Sequence, residues 1–191
     1  MPFFTDLVWQ ARLVKRGLSS PFPRIFPSEA SEANGILRGL QPQATNLNPR
    51  LIQSPKFYFE DVGLATRLQG WMEPQPLLLA PVAGFLIENL AVTEVARFFM
   101  TRGLPARLNH VRSKEEVEGD LLVHLSDGRT VAIDVKTTAE ELDARQLRLL
   151  DTLGLTIVER WAASPTQAPE LATTRVVTFD RLWHELDRLE P

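Results

Sequence analysis

Three features of the chain predict an α/β fold with a mixed central sheet flanked by helices. Short runs alternate apolar and polar residues at strand spacing, longer stretches repeat at helix spacing, and the two kinds interleave as helix, three strands, helix, strand, strand, helix. The 191 residues, 44% of them hydrophobic, are enough to bury a core without metal or disulfide staples. With no Cys, the sequence excludes a disulfide framework, a thiol nucleophile and any Cys-ligated metal, and it fits a reducing cytoplasm, the expected location. His110, His124 and His184 are too scattered for a His-rich metal site. No apolar run reaches the roughly 18 residues of a membrane span and no secretory leader pattern opens the chain, so no membrane partner is expected.

Two regions follow from the composition: an irregular arm over residues 1–50 and an α/β domain over 51–191. The arm holds six of the 14 prolines and carries six Lys/Arg against three Asp/Glu, although the net charge of the chain is −3. Proline at that density does not sit inside helices or central strands. Leu7, Val8, Ala11 and Val14 allow one short helix around Asp6–Lys15, capped by Thr5. Phe3, Phe4, Trp9, Phe22 and Phe26 make the arm apolar enough to exchange between subunits of a homo-oligomer or to pack on its own domain.

From Lys56 the segment KFYFEDVGLATRLQG runs from an apolar, aromatic stretch into a short helix. A long helix is expected between Pro81 and Gly103, with Phe85, Glu88, Val92, Val95 and Phe99 on one stripe. Glu88 therefore lies among apolar residues. ARLNHVRS, EGDLLVHL and RTVAIDVKT read as three strands. The next helix, TAEELDARQLRLLDTLG, has Thr138 and Glu141 at capping-box spacing and Gly154 at its stop. LTIVERWAA and ATTRVVTF are two more strands, and FDRLWHELDRL closes the chain as a helix.

Period-two alternation places Leu121, Val123 and Leu125 with Val131, Ile133 and Val135 on one face of the central hairpin. Both rows face one core only if the loop has an odd length, which selects Ser126-Asp127-Gly128 with a left-handed Gly128. That register sets Asp120 opposite Asp134, two like charges that repel unless a cation resolves them. Lys136, on the face of Asp134, supplies one positive charge, and a divalent metal bridged by the carboxylates would supply more.

The series Glu88, Asp120 and Asp134-Val135-Lys136 resembles the PD-(D/E)xK pattern of restriction-endonuclease-like nucleases. RLIQSPKFYFEDVGLA, GFLIENLAVTEVARF, VEGDLLVHLSDGRTVAIDVKTT and the helix that follows resemble the uncharacterised nuclease-like domain found C-terminally on many bacterial and archaeal AAA-type ATPases, over residues 50–185. Upstream, EANGILRGLQPQATN resembles the end of the winged-helix segment that joins ATPase to nuclease-like domain. No GxxxxGK[ST] loop occurs, so ATP hydrolysis is excluded and the chain resembles a truncated or stand-alone relative. Asp134 is an accepted alternative to Glu in the motif, whereas Gly119 replaces a branched apolar residue and is expected to loosen the strand before Asp120.

The resemblance implies a restriction-endonuclease-like core and hydrolysis of DNA phosphodiesters with Mg²⁺ or Mn²⁺. Asp120, Asp134, the Val135 carbonyl and Glu88 would hold the metal, Glu118 would be an auxiliary ligand, and Lys136 would position the attacking water. Arg107, Arg112 and Lys114 are the expected phosphate contacts, with the basic arm beside them. The rival reading is a catalytically inactive module that keeps the fold to bind DNA or a partner protein such as an ATPase.

Overall fold

A computed structural model describes residues 35–43, 51–73, 76, 79–138, 140–166 and 171–190. The strands are β1 (Leu37–Pro42), β2 (Lys56–Phe59), β3 (Leu108–Arg112), β4 (Glu118–His124), β5 (Thr130–Val135), β6 (Ile157–Ser164) and β7 (Arg175–Thr178). The helices are α1 (Val62–Leu68), α2 (Ala83–Thr101), α3 (Ala144–Asp151) and α4 (Leu182–Leu189). All seven strands join one sheet in the order β2-β1-β3-β4-β5-β6-β7, with both parallel and antiparallel neighbours. The α/β class and the mixed sheet are as the sequence predicts.

Helices cover both faces, and the alternation in β4 and β5 decides what each face meets. Leu121, Val123, Val131 and Ile133 join Val92, Val95, Phe98 and Phe99 of α2 and Leu182 and Leu186 of α4 in the larger core. Leu122 and Ala132 point the other way, onto Leu149 and Leu150 of α3. No helix among the described residues is long and apolar enough to cross a membrane.

One strand overturns the extent of the proposed arm. Residues 37–42 form β1, with Leu37 and Leu40 buried, and it lies between β2 and β3 rather than outside the sheet. Its pairing with β3 is parallel and distant in sequence, Gln41 to Asn109 and Pro42 to His110, so no local pattern announces it. The expected helix around Asp6–Lys15, and the aromatic arm with it, lie outside the described residues.

The helix after β5 also starts later than expected. Its capping box is Asp143 with Gln146: the Asp143 carboxylate accepts from the Arg145 and Gln146 amides, and Gln146 Oε1 accepts from the Asp143 amide. Thr138 and Glu141 have the same spacing, but Glu141 instead accepts from the Thr173 amide at 3.0 Å and the Thr173 hydroxyl at 2.7 Å, tying the segment before α3 to the one before β7.

Asn89 ties α2 to the backbone of β2. Asn89, fully buried on α2, accepts from the Phe59 amide at 2.9 Å and donates to the Phe59 carbonyl at 2.7 Å. An amide thus satisfies the outward N–H and C=O of Phe59 on a strand that is at the sheet edge among the described residues. It also brings Lys56 and Tyr58 of β2 against Glu88, one residue earlier on α2.

Candidate active site

The β4–β5 hairpin closes as its alternation requires. Gly128 has φ +87°, its amide donates to the Leu125 carbonyl, and the Leu125 amide donates to the Arg129 carbonyl. Ladder pairs run from His124–Thr130 to Leu121–Ile133 and then stop. In that register the next ladder bond would join the Val135 amide to the Gly119 carbonyl. Asp120 Oδ2 takes the bond instead, accepting from Val135 N at 2.9 Å, so β4 and β5 part into a fork with a carboxylate across its mouth.

A bulge explains the departure. Along β3 and β4 the pairing passes from Asn109–Leu122 to Val111–Gly119, so Asp120 and Leu121 together face the single residue His110. Such a bulge re-aims a side chain, and here it turns Asp120 toward the α2 side, away from the shared row with Asp134 that strict alternation predicts. Gly119 permits it: a Cβ there would stand 2.9 Å from Val111 Cγ1 and 3.6 Å from Leu150 Cδ2. The strand before Asp120 is closely packed rather than loosened, because a neighbouring valine fills the space of the missing side chain.

On the α2 side three carboxylates gather around one ammonium. Lys56 Nζ lies 2.9 Å from Glu88 Oε1 and 3.6 Å from both Glu118 Oε2 and Asp120 Oδ1. Tyr58 donates its hydroxyl to Glu88 Oε1 at 2.6 Å, and Arg112 Nε forms an ion pair with Glu118 Oε1 at 2.9 Å. Burial, then the Glu88 charge, push the Asp120 carboxyl up to about 7 against the pull of Lys56. Burial works against the Lys56 ammonium, but Glu88, Asp120 and Glu118 outweigh it and raise its proton affinity. Burial and Glu88 likewise hold the Tyr58 hydroxyl protonated, far above its usual range. Next to them, burial and the Lys56 charge lower the His110 imidazole to about 4, leaving it neutral.

On the α3 side the group is smaller. Asp134 is 3% exposed, and its Oδ2 forms an ion pair with Lys136 Nζ at 3.0 Å but accepts no aligned hydrogen bond. Gln146 Nε2 donates to Asp134 Oδ1 and to the Glu118 carbonyl, both at 3.1 Å, so the residue that caps α3 also spans the fork. Lys136 keeps 36% of its side chain exposed, and Asp134 raises its proton affinity against the cost of burial.

The structure thus brings together Glu88, Glu118 and Asp120, and separately Asp134 and Lys136, with Asp120 linked to the second group through the Val135 amide. Arg112 is close but is occupied by Glu118, with Glu116 at 3.7 Å. Lys114 is exposed on the β3–β4 turn. Arg107 is not near: it precedes β3 at the opposite end, where its carbonyl accepts from the His124 amide. Sequence reasoning missed Lys56, Tyr58, His110 and Gln146. The signal for the bulge was Gly119, an isolated glycine inside a strand pattern.

Among the described residues no group of three or more His, Asp or Glu side chains stands at metal-holding spacing. Lys56 keeps its carboxylates at ion-pair distances, longer than the roughly 2.0–2.6 Å of metal–oxygen bonds. Asp120, like Glu88 and Glu118, is paired to Lys56, with its other oxygen on the Val135 amide. The donor that fits an ion is therefore Asp134 Oδ2, buried without an aligned hydrogen bond, and Asp120 joins it only by leaving Lys56. Mg²⁺ commonly uses one or two carboxylates and completes its shell with water and phosphate oxygens. A groove of about 570 Å³ along β7, lined by Thr174, Arg175, Arg181 and Glu185 among others, shares no residue with either group.

Two curated proteins are similar to part of this chain: the uncharacterized protein Mb2031c of Mycobacterium bovis and the uncharacterized protein Rv2008c of Mycobacterium tuberculosis. Each is 33% identical over 118 residues, covering 59% of this chain. The matched region is 24% of each relative, so the chain corresponds to about a quarter of their length. No family model matches the chain. No solved structure matches it either.

Proposed function

We propose that the chain is a metal-dependent nuclease domain of the PD-(D/E)xK kind, with a restriction-endonuclease-like core, hydrolysing phosphodiesters of DNA. The observation that carries this reading is the buried Asp134 ion-paired with the half-exposed Lys136, beside an Asp120 that bridges the β4–β5 fork. Asp120 and Asp134 would hold one Mg²⁺ or Mn²⁺. That ion, when bound, supplies a water of lowered pKa and positive charge at the scissile phosphate. Gln146 fixes Asp134 Oδ1 and so sets where Oδ2 points, while the Val135 amide holds Asp120 Oδ2 with Oδ1 toward Lys56. Lys136, tethered at Asp134 and open to solvent, stabilises negative charge developing on the phosphate and orients the attacking water. Lys114 offers a phosphate contact at the exposed β3–β4 turn. The absence of Cys is compatible with work in a reducing compartment such as the cytoplasm.

One observation favours a second reading. Lys56 already supplies a positive charge to Glu88, Glu118 and Asp120, which suits a module that keeps the fold without metal and binds DNA or a partner protein, an ATPase included. Incubation with linear and nicked DNA in Mg²⁺ or Mn²⁺ separates the two. Cleavage by the native chain that falls at least about 100-fold in both Asp134→Ala and Lys136→Ala is the expected result. No cleavage with either ion, together with salt-sensitive DNA binding, would replace the enzyme by the module.

A further inference from the structure

The two edges of the sheet are finished differently. At β2 the outward N–H and C=O of Phe59 are taken by Asn89. At β7 the residues Arg175 to Thr178 pair with β6 on one side, and on the other side their backbone makes no hydrogen bond among the described residues. The groove of about 570 Å³ follows that open side. It is lined by the whole run of residues 171–178, so side chains of both sheet faces border it, with Arg181 and Glu185 on one flank.

Charge at the groove is nearly balanced, and the imbalance has an address. Arg175 lies 2.7 Å from Glu185 and 3.8 Å from Glu159, while Arg188 lies 3.2 Å from Glu185 and also pairs with Glu159. These two arginines offset the two glutamates. Arg181 is in surplus: it stands 4.0 Å from Glu185 with 62% of its side chain exposed, just beyond the end of β7. The groove thus offers backbone donors and acceptors along its length and a loosely tied positive charge where the strand finishes.

We propose that β7 is a docking edge for an extended segment of a partner protein that carries an Asp or Glu, adding to the sheet as a further strand with its carboxylate on Arg181. A second copy is the poorer occupant, because β7 against β7 brings two surplus arginines into one interface. DNA is poorer too, since a phosphodiester backbone supplies acceptors alone and leaves the outward carbonyls of β7 unpaired. The groove shares no residue with the β4–β5 fork, so the inference stands apart from the nuclease reading.

The test is selection of binders to the full chain from a random library of linear peptides about seven residues long, enough to span the four residues of β7. Recovered peptides are measured by fluorescence anisotropy and by residue-resolved amide exchange. They are expected to carry an Asp or Glu and to slow exchange of the outward amides of β7. Arg181→Glu is expected to weaken them at least about fivefold, and Arg181→Gln to weaken them less. N-methylation of alternate peptide amides is expected to cost about fivefold or more, which a contact through side chains alone would not show. A library that yields no peptide protecting β7 overturns the proposal, as do binders indifferent to both N-methylation and the charge at Arg181. Outward amides already protected in the dilute free chain would give the edge to a segment of this chain, and protection that grows with protein concentration would give it to a second copy. Short DNA that protects the same amides would make the groove a nucleic-acid contact; each of these three results also overturns the proposal.

Discussion

Lys56 and Lys136 each face buried carboxylates at the same fork, but their surroundings differ in number and access. Lys56 has three carboxylates within 3.6 Å and 20% of its side chain exposed; Lys136 has one at 3.0 Å and 36% exposed. The first gives up water for contacts the fold supplies, so its charge belongs to the fold's stability. The second retains access to solvent, so its charge is available to something outside. In a site of mixed charge, the cation with fewer partners is the candidate for chemistry, and the one with most partners is the candidate for structure.

The largest expected effect comes from neutralising each lysine in chelator-containing buffer. Lys56→Met, which strands three carboxylates, is expected to lose about 3–5 kcal/mol in urea unfolding, and Lys136→Met about 1 kcal/mol or less. Equal losses would erase the distinction. Next is the bulge that delivers Asp120 to Lys56: Gly119→Ala is expected to cost about 1–3 kcal/mol, partly recovered when Val111→Ala makes room. Additive costs in that double-mutant cycle would show that Val111 is not what Gly119 accommodates.

A smaller and more diagnostic effect is the pH dependence of the α2-side group. With Asp120 raised to about 7, the folded chain holds a proton over roughly pH 4–7 that the unfolded chain releases, so this carboxyl makes stability fall as pH rises. His110, lowered to about 4, acts oppositely: the unfolded chain takes the proton first, and stability rises with pH from about 4 to 6.5. The two slopes oppose, so the change in slope is the measurement. Asp120→Asn is expected to make urea stability climb more steeply between about pH 4.5 and 6.5; an unchanged slope would mean that its carboxyl titrates alike in both states. Smallest of all, Arg107→Ala, at the far end of β3, is expected to alter stability by less than about 0.5 kcal/mol and to leave DNA binding unchanged.

Local features were legible in the sequence and non-local ones were not. The β4–β5 hairpin could be read because its alternation and Gly128 are contained in one short stretch. α2 could be read because nothing interrupts it before Gly103. β1 escaped because LRGLQP contains Gly39 and Pro42 and pairs with residues far along the chain. The cap of α3 was misplaced because Thr138 and Glu141 imitate a motif that Asp143 and Gln146 form, and only the contact of Glu141 with Thr173 decides between them. Glu88, Asp120 and Asp134 could be picked out as acids needing partners. Lys56 could not, since its partners are 32 or more positions away and meet it only through Asn89 and the bulge.

The wedged position of β1 gives the molecule an order of assembly. The β4–β5 hairpin needs only a three-residue loop and can form within microseconds. Lys56 rides on β2, which joins the sheet through β1, and β1 reaches β3 only after a loop of 68 positions has closed. In refolding, the carboxylates of β4 are therefore expected to be in place before their counter-ion arrives. In a refolding chain they are then expected to meet solvent cations first, so that the composition of the refolding buffer should alter the rate at which Lys56 docks.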